Sequence, residues 1–136
     1  MDFEGLRFEF AHVGINARTP EEALRMKSFF DALPGCGEFR ETASAWLSGD
    51  NKMELMKGLG KGSMGHLGLF VNDLPLAVKF LESIGLAVDP DTAQYTPDGE
   101  LRLIYLKEEI NGFRIHVGRK MAPSYVPPRE EELPAE

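Results

Sequence analysis

One phrase occurs twice in this chain: His12-Val13-Gly14-Ile15-Asn16-Ala17 near the start and His66-Leu67-Gly68-Leu69-Phe70-Val71 near the middle. Both phrases have the period-2 alternation of a strand. Both run into a helix start. After the first, Thr19 reads as N-cap, Pro20 as the first helical residue and Glu22 as the third, a capping-box pattern. After the second, Asp73 reads as the N-cap. Setting His12 over His66 also aligns Gly14 with Gly68 and Ala23 with Ala77 without a gap. The chain must therefore fold as two related halves.

The remainder of each half reads as short strands. Ala23, Met26, Phe30 and Leu33 recur at helical spacing before the Pro34-Gly35 stop. Strands are expected at 37–40, 43–48 and 52–57, with Gly49-Asp50-Asn51 as a hairpin turn. In the second half Leu74, Ala77, Val78, Leu81 and Ile84 form the apolar stripe, and Gly85 ends the helix. Strands are expected at 87–88, 94–96, 101–107 and 113–119, separated by Pro97-Asp98-Gly99 and Asn111-Gly112.

At 136 residues the chain suits one α+β domain, expected over residues 1–120. It divides into a β-α-β-β-β unit at 6–57, a linker at 58–63, a second unit at 64–119 and an acidic, proline-rich tail at 121–136. Gly58-Leu59-Gly60-Lys61-Gly62 lacks the Ser or Thr and the helix start of a phosphate loop, so a flexible linker is expected there.

Parity then selects four residues. In the first strand Phe8, Phe10, His12, Gly14 and Asn16 are expected on one face, with Ala11, Val13 and Ile15 on the other. Met53 and Leu55 bracket Glu54, Leu67 and Leu69 frame His66 and Gly68, and Ile115 and Val117 bracket His116. Apolar residues that pack on the helices have one parity, so His12, Glu54, His66 and His116 are sent to the opposite face. Three imidazoles and a carboxylate suit Zn²⁺, Ni²⁺, Co²⁺, Fe²⁺ or Mn²⁺. Gly14 and Gly68 are expected to leave room beside the ion. A single histidine of this kind is ordinarily a hydrogen-bonded surface or core residue; all three falling at equivalent strand positions favours a metal site. Trp46, Phe70, Met56 and Tyr105 are candidates for lining the cleft, and Arg114 for pairing with a substrate carboxylate or phosphate.

Charge and composition remove several function classes. Of the net charge of −7, residues 121–136 carry −3, which leaves −4 for the rest. An acidic chain without a basic face argues against nucleic acid and anionic membranes as partners. No apolar run approaches the roughly 20 residues that span a bilayer, and the N-terminus lacks signal-peptide features. Cys36 is alone, so no internal disulfide is available and a reducing cytoplasm is the expected setting. A small-molecule substrate remains. In the tail, Tyr125 and Val126 are candidates to cover a neighbouring groove or a partner subunit.

Over about residues 6–119 these features resemble the vicinal oxygen chelate superfamily, which includes glyoxalase I, bleomycin-resistance proteins and extradiol dioxygenases. Within it they are most similar to the small module fused behind some 2-keto-3-deoxy-6-phosphogluconate aldolases. The resemblance implies two βαβββ modules that form a curved mixed sheet around a cleft, and often a homodimer. It implies metal ligands on the first and last strands of each module, here His12 with Glu54 and His66 with His116. One departure is plain. Glyoxalase I has Asp-Pro-Asp-Gly and then a Glu that moves the substrate proton, whereas this chain has Glu109-Ile110-Asn111-Gly112 and then His116. That weakens assignment as a glutathione hemithioacetal isomerase.

The resemblance implies a divalent-metal-dependent lyase or isomerase that acts on a small carbonyl or hydroxy acid through a metal-stabilised enediolate. Glu54 would then be both ligand and general base. The alternative expectation is a metal-free ligand-binding module of the resistance type, or a regulatory module associated with sugar-acid metabolism.

Overall fold

The computed structural model describes residues 2–120. The tail at 121–136, with Tyr125 and Val126, lies outside the described residues. The elements are β1 (Phe8–Ile15), α1 (Pro20–Asp31), β2 (Arg40–Glu41), β3 (Ala45–Leu47), β4 (Met53–Met56), β5 (Gly65–Val71), α2 (Leu74–Ser83), β6 (Val88–Tyr95), β7 (Leu101–Leu106) and β8 (Phe113–Arg119). The fold is mixed α+β, with two helices and one open eight-stranded sheet in the order β2-β3-β4-β1-β5-β8-β7-β6. The halves meet at the antiparallel β1–β5 pair, and β1–β4 and β5–β8 are parallel. Neither helix is long and apolar enough to cross a membrane.

Both helix starts form where the caps predict them. Thr19 Oγ1 accepts from the Glu22 N–H at 3.2 Å, and Asp73 Oδ1 accepts from the Leu76 N–H at 3.1 Å. The Glu22 carboxylate returns to the Arg18 N–H at 3.1 Å rather than to Thr19 itself. Leu74, Ala77 and Leu81 of α2 then pack on Val71, Ile104, Leu106 and Val117, so the helix is held by burial of one stripe. Ala23 of α1 and Leu55 of β4 are fully buried on the other half. Leu33 and Ile84, expected to extend the two stripes, are exposed just past the helix ends.

Three expectations are corrected. First, the register of β1 against β5 shifts between Phe10 and His12, so one extra residue is inserted there. That bulge reverses parity: Phe8 lies against Phe80 of α2, with ring centroids 6.1 Å apart, and does not share the face of His12. Phe10 likewise borders a groove with Val13 and Phe30 on the helix side. Second, the expected pieces at 87–88 and 94–96 are one strand, β6, which runs through Pro90. An edge strand tolerates the missing N–H. Third, the linker is tied down. Asn16 donates to Gly62 O at 2.9 Å and accepts from the Gly60 N–H at 3.2 Å, while Ser63 Oγ donates to Glu109 at 2.7 Å.

Candidate metal centre

Strand register places the candidate donors in two rows across the sheet. In one row Glu54 of β4, Gly14 of β1, His66 of β5 and Arg114 of β8 are successive neighbours. In the other, His12 of β1, Gly68 of β5, His116 of β8 and Tyr105 of β7 are neighbours. Each row sets one glycine between two of the donors, and the missing side chain is what leaves room for the rings. A Cβ on Gly14 would stand 2.0 Å from His66 Cε1. One on Gly68 would stand 2.6 Å from His12 Cε1 and 2.7 Å from His116 Cε1. The space expected beside an ion is filled by the imidazoles themselves.

All four donors belong to one chain, and they meet. His12 Nε2 lies 3.1 Å from His66 Nε2, 3.2 Å from His116 Nε2 and 3.0 Å from Glu54 Oε1; His66 Nε2 lies 3.3 Å from the same carboxylate oxygen. The three imidazole donor atoms all lie within 4.8 Å of one another. Glu54 and His12 remain partly open to solvent, whereas His66 and His116 are buried.

Hydrogen bonding alone does not satisfy this cluster. An ionised Glu54 requires an N–H from both His12 and His66, and those two N–H groups would then confront each other at 3.1 Å. Removing either hydrogen turns one carboxylate contact into a clash of lone pairs. With Glu54 ionised, no assignment of ring protons makes all four contacts attractive, whereas a cation among the donors would stabilise all four. Around a divalent ion with bonds of about 2.0–2.2 Å, neighbouring donors stand about 2.8–3.6 Å apart, which brackets the spacing here. The donor set and its spacing fit such an ion. His116 Nδ1 is buried without a hydrogen-bond partner among the described residues, and that ring packs against Gly68 and Tyr105.

The electrostatics follow from this crowding. Burial opposes ionisation of Glu54, but hydrogen bonds from His12 and His66 outweigh it and hold the carboxyl well below its usual range. Burial first, and then the neighbouring charges of His12 and His66, push His116 down to about 3 from 6.5. The folded protein therefore binds fewer protons at His116 than the unfolded chain does between pH 6.5 and about 3. The stability this neutral ring contributes is complete above pH 6.5 and is lost as pH falls through that window, at about 1.4 kcal/mol per pH unit. Glu54 acts in the same direction below its unperturbed 4.5. The urea midpoint of metal-free protein should thus decline steadily from pH about 7 to about 4. A flat midpoint would mean that His116 is hydrated in solution.

The other candidates separate by register. Tyr105 is buried with its ring centroid 5.0 Å from that of His116. Arg114 stands beside His66 on the same face. Phe70 and His12 border a common cavity of about 460 Å³. Met56 is buried on the face of Glu54. Trp46 does not join them: it pairs with Leu55, so it takes the helix-side face, and Lys27 of α1 lies 4.9 Å over its ring. Leu47, not Trp46, is the residue opposite Glu54. Sequence reasoning did not find Lys61, whose Nζ stands 5.2 Å over the Tyr105 ring, because its position comes from a loop without periodicity. Comparison of the chain with protein-family models, curated proteins and solved structures gives no match.

Proposed function

We propose that this chain is a divalent-metal-dependent protein of the glyoxalase type, built from two βαβββ modules, and a lyase or isomerase for a small carbonyl or hydroxy-acid substrate. One observation carries the reading: donor atoms from β1, β4, β5 and β8 make four contacts of 3.0–3.3 Å, three of them to His12 Nε2, that ring protons cannot all satisfy beside an ionised Glu54. The mirrored strand order about the β1–β5 pair supports the two-module part.

His12, His66, His116 and Glu54 would hold the cation. When bound, it supplies Lewis-acid polarisation of a carbonyl or hydroxyl oxygen. Glu54 would be the group that moves a proton, because it carries a second carboxylate oxygen and keeps one quarter of its side chain exposed. Phe70, which borders the cavity beside His12, and Tyr105, whose ring packs on His116, would limit water beside the reacting atoms.

The experiment is metal analysis of protein purified without chelators, followed by titration with Zn²⁺, Ni²⁺, Co²⁺, Fe²⁺ and Mn²⁺. The expected result is about one ion per chain, with uptake weakened in Glu54→Ala. No ion after purification and none taken up on titration would favour the metal-free ligand-binding module instead.

A further inference from the structure

Two cations stand one ring away from the donor cluster. Arg114 Cζ lies 5.3 Å and Lys61 Nζ 5.2 Å from the Tyr105 ring centroid, and that ring neighbours His116. Cation–π attraction favours each contact singly. Two like charges gathered on one ring repel unless an anion lies near. Asp89 offsets part of this, with Oδ2 at 3.7 Å from Arg114 Nη2, beyond hydrogen-bond range.

Neither cation is fully satisfied among the described residues. Arg114 Nε donates to Leu106 O at 3.1 Å, which fixes the guanidinium, but its buried Nη2 makes no hydrogen bond among the described residues. Leaving a buried charged donor unmade is costly, and an incoming oxyanion would satisfy it. Lys61 makes no ion pair among the described residues, and its loop is pinned by Asn16 at Gly60 and Gly62, so the ammonium is held near Tyr105.

We propose that Lys61 and Arg114 bind an oxyanion borne by the substrate, a carboxylate or a phosphate, which narrows the substrate class to small anionic carbonyl or hydroxy compounds. The part about the reacting end rests on the cation reading of the donor cluster; the anion end stands on Lys61, Arg114 and Tyr105 alone.

The test uses the full chain stripped of metal, so failure of the cation reading does not affect it. Pyruvate, its neutral amide and inorganic phosphate are titrated separately at low ionic strength, with backbone amide NMR shifts at 60–62 and 114 as the readout. Saturable shifts are expected with pyruvate or with phosphate, and the better binder identifies the group. Lys61→Met should weaken that binding about tenfold or more, and Lys61→Arg should restore part of it. Arg114→Lys, which keeps the charge but loses the fork, should weaken it as well. Binding of the neutral amide equal to that of pyruvate, unchanged affinity in Lys61→Met, or no saturable shift with either anion would overturn the proposal.

Discussion

Gly68→Ala is expected to abolish tight cation binding although it removes no donor atom. The new Cβ would lie 2.6 Å from His12 Cε1, 2.7 Å from His12 Nδ1 and 2.7 Å from His116 Cε1. Carbon atoms do not approach so closely, so both rings must move. Metal–donor distances tolerate only about 0.2 Å of error, and two of four donors would be misplaced at once. A loss of at least a hundredfold in affinity is expected, about the most that losing a supporting outer partner costs. Gly14→Ala should act in the same direction through His66 alone, where the added carbon would stand 2.0 Å from Cε1. Overpacking also costs about 1–3 kcal/mol in stability, so far-ultraviolet dichroism must accompany the titration to establish that the variants fold. Gly58→Ala, where a Cβ meets nothing within 4 Å, is the neutral control. Unchanged affinity in Gly68→Ala would mean that the rings do not bind as a set.

The second large effect is expected at His12, whose Nε2 touches all three other donors. His12→Ala should eliminate stoichiometric cation uptake. It should also eliminate the rise in melting temperature expected of the wild type with an ion bound, a gain of about 2.7 kcal/mol at a hundredfold excess over the dissociation constant. The metal-free variant should behave differently. Since the cluster is overcrowded with donors and acceptors that cannot all pair, deleting its hub should cost little stability and can relieve repulsion. Were the four residues a structural hydrogen-bond network, the same deletion would strand buried partners and cost about 1–3 kcal/mol without any ion present. Paired thermal melts with and without chelator therefore distinguish the two roles by sign.

The site was legible because it depends on period-2 parity within strands and on a repeat between halves. Glu54 and His116 adjoin Leu55 and Val117, which are buried, while Met53, Leu67 and Ile115 are half-buried, and the three donors meet on the opposite face. The β1 bulge was not legible: the additional residue is small, Ala11, and no charge or glycine marks it. The outcome for His12 survived because the slip falls before it, whereas Phe8 and Phe10 changed sides. Trp46 depended on pairing register between β3 and β4, which a three-residue strand does not announce. Lys61 required a tertiary contact, since Asn16, 44 residues before Gly60, positions its loop.

Gly14 of the first half receives the ring of His66 from the second, and Gly68 of the second receives the ring of His12 from the first. The hollows are exchanged across the seam, so neither half alone owns a finished socket. A captured ion would rivet the two together: prising the halves apart would mean breaking its coordination bonds as well as the β1–β5 ladder.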